Sequence, residues 1–146
     1  LKGRYIYLDF WASWCAPCIK SLPFLEQLSK RYTCADFQVV GVNIDSNKED
    51  AVRFLKELNI SFPQLYDPKG QIGIPLAVKT MPTAFLLDRQ SRVIWKHTGF
   101  DADYQSKLET YLEQLITQKS HLKKTDNNPS SNQSSNLSNN PSCNFL

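Results

Sequence analysis

The stretch Trp11-Ala12-Ser13-Trp14-Cys15-Ala16-Pro17-Cys18 restricts this chain more than any other. Before it runs Tyr5-Ile6-Tyr7-Leu8-Asp9-Phe10, an apolar segment that reads as a buried strand. After it, Ile19 to Tyr32 carries apolar residues at helical spacing. Two cysteines three positions apart at a strand-to-helix junction have a mechanical use as a redox dithiol. A helix start offers unpaired N–H groups and the positive end of the dipole, and both favour a thiolate at Cys15. In such motifs the pKa falls from ~8.5 into the range ~3.5–7.5. Cys18, one turn on, is close enough to close a disulfide with Cys15. Pro17 between them suits the first turn, where its missing N–H would lack an acceptor anyway. The alternatives are two unrelated buried thiols or a zinc site, which needs about four ligands. Only Cys34, Cys143, His97 and His121 remain, and none forms a second close pair.

The rest of the chain reads as alternating elements. Phe37 to Asp45 is a second strand, and Ser46-Asn47-Lys48-Glu49 fits a capping box with Ser46 as N-cap. The helix it opens is expected to run to Leu58 with Ala51, Val52, Leu55 and Leu58 on its inner face. Phe62 to Tyr66 suggests a short extended piece, Asp67-Pro68-Lys69-Gly70 a turn, and residues 71–79 a short helix interrupted by Gly73 and Pro75. Lys48-Glu49-Asp50 and Tyr66-Asp67 read as surface composition. Thr83 to Asp88 and Arg92 to His97 form an antiparallel hairpin ended by Gly99. Asp101 or Asp103 caps a last helix holding Tyr104, Leu108, Tyr111, Leu112 and Leu115 in phase. Regular structure is expected to stop near Thr117. Residues 127–146 contain seven asparagines and six serines, too little apolar matter to offset chain entropy. Two Asn-X-Ser matches in that tail fit its composition by chance. The order β–α–β–α–β–β–α predicts an α/β domain over 1–116, with a mixed central sheet and helices on both faces, followed by a disordered tail over 117–146.

Charge excludes one class of partner. The net charge is +3, of which residues 1–116 carry 14 basic against 13 acidic groups. No concentrated basic face exists, so nucleic acid is not expected as a partner. No apolar run approaches the ~20 residues of a membrane span.

Order and motif together resemble the thioredoxin fold from about Tyr5 to Ile116. The stretch from Asp9 to Cys18 is similar to that family's active-site signature, with Asp9 six residues before the first cysteine. Pro23, Met81-Pro82-Thr83 and Gly99 stand where the family has its helix kink, its cis-proline and a glycine after the last strand. Leu1-Lys2-Gly3-Arg4 and the long region before Met81 resemble the TlpA/ResA-type branch. That resemblance implies a periplasmic or otherwise extracytoplasmic site, a role of the cytochrome c maturation kind, and an upstream anchoring segment ahead of Leu1.

The resemblance also implies a mechanism. The Cys15 thiolate attacks a client protein's disulfide, and Cys18 resolves the mixed disulfide. Asp9 accepts the Cys18 proton; the plainer alternative is a carboxylate bonded within the sheet or paired with a lysine. In plain thioredoxins a lysine on the second strand faces this aspartate, and the matching position here is Gly41. Trp14, Met81 and Pro82 form the docking surface for a client strand, and Ala16 and Pro17 tune the dithiol. An ordinary trans turn is the alternative at Met81-Pro82. Trp11 is expected to pack beneath the motif, and Trp95 within the hairpin. No metal or organic cofactor is required, because the Cys15–Cys18 dithiol is the redox group. An upstream thiol donor, a membrane carrier or another thioredoxin-like domain, would recharge it. The rival functions are an oxidant or isomerase of the same fold, and a non-enzymatic module that holds a metal or a client. Cys34, Cys143, His97 and His121 are given no catalytic role.

Overall fold

The structure is a computed structural model that describes residues 3–33 and 35–125, with side chains as far as residue 116. Cys34, Cys143, the His121 side chain and the two Asn-X-Ser matches lie outside the described residues. The chain divides after Phe100 into two units.

The first unit carries a five-stranded sheet in the order β3-β2-β1-β4-β5. Its strands are β1 (Tyr5–Trp11), β2 (Phe37–Asn43), β3 (Gln64–Tyr66), β4 (Thr83–Leu87) and β5 (Val93–Thr98). β1, β2 and β3 run parallel, and β4 and β5 are antiparallel to their neighbours. Two helices belong to this unit, α1 (Ala16–Arg31) and α2 (Lys48–Glu57). This is the mixed sheet expected of a thioredoxin fold. β1 lies at its centre, which explains why its apolar run is nearly continuous: every residue from Ile6 to Trp11 is buried.

Side-chain alternation on β1 sorts the interior into two faces. Ile6, Leu8 and Phe10 pack with Val40, Val42 and Phe85, and Ile72, Leu76 and Val78 cover that cluster. Tyr7, Asp9 and Trp11 point to the other face. α1 lies there, since Tyr32 at its end meets Phe37 edge-on at 5.7 Å and Phe37 is in register with Tyr5. Its buried residues Cys18, Leu22, Leu25 and Leu28 recur at helical spacing, and the helix continues through Pro23.

Several local expectations are corrected. The cap of α2 is Asn47, whose side chain accepts the Glu49 N–H at 3.1 Å, so Ser46 lies one residue too early. On that helix Ala51 is buried but Val52 is 47% exposed, because the inward face is centred on Ala51 and Leu55. Residues 71–79 form successive turns rather than a helix. Asp67 is their organiser and is buried, not a surface residue: Oδ2 accepts the N–H groups of both Ile72 and Gly73 at 2.9 Å.

The second unit contains α3 (Ala102–Thr125). Asp101 is its cap, accepting the Tyr104 N–H at 2.7 Å. Tyr104, Leu108 and Leu112 are buried, in the phase read from sequence. The helix passes Thr117, where regular structure was expected to stop. Gln118, Lys119, Leu122, Lys123 and Lys124 are good helix formers, and no glycine or proline intervenes before Pro129.

Glu26 ties α1 to the segment entering β3. The carboxylate is buried and accepts the Ser61 hydroxyl, the Ser61 N–H at 2.9 Å and the Phe62 N–H at 3.4 Å. Burial pushes its pKa up, but the Ser61 and Phe62 hydrogen bonds and the Lys30 charge outweigh that and hold it below the ordinary carboxylate value. Replacing Glu26 by alanine leaves these donors without their acceptor. We expect a loss of about 1–3 kcal/mol at pH 7, measured by urea unfolding. The stabilisation is present above the ordinary pKa of 4.5 and fades as pH falls through the lower folded value. The gap between wild type and variant should therefore narrow in acid.

Candidate active site

The dithiol sits where β1 hands over to α1. The loop between them is held from below by Asp45, a buried carboxylate just past β2. Its oxygens accept the Ser13 N–H at 3.0 Å, the Ser13 hydroxyl at 2.9 Å and the Asn43 amide at 2.8 Å. Asp45 and Asn43 were not singled out from sequence, though two polar groups closing an apolar strand were the available signal.

Cys15 is the N-cap of α1, with extended backbone at φ −99° and ψ 103°. Its Sγ accepts the Cys18 N–H at 3.3 Å. Sulfur thus occupies the position that a serine or aspartate oxygen takes at most helix starts. That donor and the helix dipole both favour negative charge there when the bond is reduced. Ala16 and Pro17 fill the first two helical positions. Cys15 and Cys18 are joined as a disulfide, with Cα atoms 5.3 Å apart. Cys15 keeps 6% exposure and Cys18 none, so only Cys15 offers its sulfur to an outside group. Trp14 beside it is 69% exposed, whereas Trp11 is fully buried, as expected beneath the motif.

Asp9 lies four residues before Ser13 on the central strand, 2% exposed. It is in register with Gly41 on one side and Ala84 on the other. The expected correspondence of Gly41 with the facing position on β2 is therefore met. Among the described residues Asp9 Oδ2 has no hydrogen-bond partner, and no lysine or arginine of β1, β2 or β4 shares its face. Burial alone pushes its pKa from 3.8 up to about 8.

The Met81–Pro82 peptide bond is cis, not the trans turn. Thr83 is in register with Phe10, which sets Met81 and Pro82 at the end of the sheet from which the dithiol loop departs. Pro82 is buried and its carbonyl accepts the Gly99 N–H at 2.9 Å; Gly99 has φ +92°, a conformation that suits glycine. Trp95 pairs with Leu86 in the hairpin. His97, in register with Ala84, stands two strands from Asp9. Among the described residues no cluster of histidine, cysteine or acidic side chains is arranged to hold a metal ion. No helix of the described residues is long and apolar enough to cross a membrane.

Comparison with known proteins agrees with this geometry. Thiol-disulfide oxidoreductase ResA of Bacillus cereus is 30% identical over 115 residues, 79% of this chain and 65% of the relative. ResA of Bacillus subtilis is 31% identical over 99 residues, 68% of this chain and 55% of the relative. The chain thus spans about two thirds or less of the length of these relatives. Among solved structures, a Chlorobium tepidum protein assigned as thiol:disulfide interchange protein DsbE is 42% identical with a TM-score of 0.76, covering 79% of this chain and 82% of that one. StoA from Bacillus subtilis is 30% identical with a TM-score of 0.66, covering 75% and 84%. The Redoxin family matches residues 1–112, the stretch that carries the sheet, the dithiol, Asp9 and the cis-proline. The chain belongs to the Redoxin family.

Proposed function

We propose that this chain is a protein thiol-disulfide oxidoreductase that reduces disulfides in client proteins through a Cys15/Cys18 cycle. The observation that carries the proposal is the position of Cys15 as a helix N-cap, its sulfur receiving the Cys18 N–H and bonded to Cys18. The names of the ResA and DsbE relatives support it.

In the reduced state the Cys15 thiolate attacks one sulfur of the client disulfide. The client's other sulfur leaves as a thiolate, and a mixed disulfide forms. Cys18 then passes its proton to ionised Asp9, and the Cys18 thiolate attacks Cys15 Sγ. The client leaves fully reduced, and the Cys15–Cys18 bond holds the two electrons' worth of oxidation. Burial raises the Asp9 pKa to about 8, toward the ~8.5 of a free thiol, which makes it a better proton acceptor than an ordinary carboxylate. Trp14, Met81 and Pro82 provide the client's docking surface, with the Met81 backbone free to pair with an extended strand. Ala16 and Pro17 set the geometry between the sulfurs. The dithiol itself is the redox group, so the cycle uses no metal or organic cofactor. An upstream thiol donor, a membrane carrier or another thioredoxin-like domain, restores it. On the same reading the working domain extends over residues 1–116, supported by the family match through residue 112, and the site of action is extracytoplasmic.

An insulin-reduction assay combined with equilibrium titration against glutathione tests this. Turnover with a single two-electron transition near the reducing end of the fold's range, about −270 mV, is expected. A potential near −120 mV would instead make the chain an oxidant. No turnover together with a stoichiometrically retained metal would make it a binding module.

A further inference from the structure

Gln64, Gly41, Asp9, Ala84 and His97 form one row across the five strands. Asp9 is flanked in this row by the two smallest side chains available. The volume over Gly41 is not empty, because the Gln64 side chain folds back across it. A Cβ built on Gly41 would lie 2.2 Å from Gln64 Oε1 and 2.7 Å from Nε2. Facing side chains of paired strands stand roughly 4.5–5.5 Å apart, so the carboxamide occupies the place beside Asp9 that a residue 41 side chain would have filled. Its orientation is fixed from one end: Trp11, on the same face two residues after Asp9, donates its Nε1–H to Gln64 Oε1 at 2.9 Å. Gln64 Nε2 makes a long contact of 3.4 Å to the Phe62 carbonyl, which leaves one amide N–H uncommitted. Among the described residues, Asp9 Oδ2 is meanwhile an acceptor without a partner.

We propose that Gln64 is a positioning residue for the dithiol reaction: its neutral carboxamide, locked by Trp11 over Gly41, fills the place beside Asp9 from which a charged side chain would reset the proton affinity of that carboxyl. The inference rests on the reading of Asp9 as proton acceptor for Cys18. A neutral side chain in that place leaves burial to hold Asp9 mostly protonated at neutral pH, with a minor ionised fraction to accept the Cys18 proton, in a pocket that a cation would ionise. The other ionisable groups on this face are few. β1 brings Tyr5 and Tyr7, β3 brings Tyr66, α1 brings Cys15 and Cys18, and His97 closes the row, while β2 contributes none. Lys20, Lys30 and Arg31 of α1 are exposed, and Glu26 is engaged with Ser61.

The test is the Asp9 titration followed by NMR in protein with 13C-labelled aspartate, for wild type, Gln64→Glu, Gln64→Leu and Gln64→Lys. Gln64→Lys should lower the Asp9 midpoint by roughly 1–3 units, as an opposite charge at this range does. Gln64→Glu keeps an acceptor for the Trp11 indole, so it preserves the packing, and should raise the upper midpoint of the carboxylate pair. Gln64→Leu is neutral like glutamine and brings no charge to Asp9, so it should stay within about 0.3 unit of wild type. Midpoints within about 0.3 unit of wild type in every variant that folds would overturn the inference, since shifts from a charge at this distance are several times larger. If the lysine variant does not fold, the glutamate variant decides alone. The underlying reading fails separately: Asp9→Asn would then leave the resolving step unchanged, whether or not Gln64 moves the titration.

Discussion

Replacing Cys15 by serine should lower disulfide turnover by on the order of 10³-fold or more, the scale on which losing a nucleophile acts elsewhere. Replacing Cys18 by serine should produce a different defect. The attacking thiolate remains, but nothing resolves the adduct, so client and enzyme accumulate as a mixed disulfide held through Cys15. The two proposed roles match a difference in access: Cys15 keeps 6% of its surface and Cys18 none. They also match a difference in electrostatics, because the Cys18 N–H points at Cys15 Sγ from the helix start, 3.3 Å away. A serine hydroxyl at position 15 would keep that capping bond and hence the helix, so the loss can be assigned to chemistry and not to unfolding. Non-reducing gels with a model disulfide protein and iodoacetamide trapping read both outcomes. Equal defects in the two variants, with no trapped adduct from Cys18→Ser, would remove the distinction between attacking and resolving sulfur.

The parts of this site that were legible in the sequence are those whose chemistry is written locally. A cysteine pair with Pro17 at a strand-to-helix switch announces a capped thiol, because capping geometry depends on a few consecutive residues. The core strand β1 was legible because burial on both faces demands an apolar run, and Asp9 stood out as the exception inside it. The supports were not legible. Asp45 reaches Ser13 across 32 positions, Glu26 reaches Ser61 across 35, and Trp11 reaches Gln64 across 53. Each is a polar residue whose meaning depends on strand register, and register is decided by packing that no short window contains. Asp67 shows the same limit at close range. Its composition says turn, and only its burial reveals that one carboxylate oxygen organises the backbone of Ile72 and Gly73. Val52 failed for a simpler reason: an apolar residue at the edge of a helical stripe can face either way, and the phase of α2 was fixed by Ala51.

Asp9 carries the other large effect, and its sign is opposite to that of most single substitutions. Its pKa is 3.8 in an unfolded chain and about 8 in the folded protein, through burial. An acid whose folded pKa is raised supports the fold fully below the unfolded value, and that support is lost as pH climbs to the folded value. At 1.36 kcal/mol per unit, the span from 3.8 to about 8 corresponds to roughly 5–6 kcal/mol lost between pH 4 and pH 8. Asp9→Asn cannot ionise and escapes that loss. Its amide adds a buried donor at an unsatisfied position, which takes back about 1–3 kcal/mol. At pH 8.5 the oxidised variant should still exceed wild type by about 3 kcal/mol, and near pH 4 the advantage should vanish or reverse. Urea unfolding of the oxidised proteins across that interval measures it. The same substitution should slow resolution of the mixed disulfide near neutral pH, because the Cys18 proton loses its acceptor, and the slowing should shrink as hydroxide takes over at high pH. The proposed proton-transfer role would give the chain a reason to keep a destabilising carboxylate on the strand that leads into the dithiol. A pH-independent stability difference between wild type and Asp9→Asn would show instead that Asp9 stays ionised or stays protonated throughout, and the proton-transfer role would fall with it.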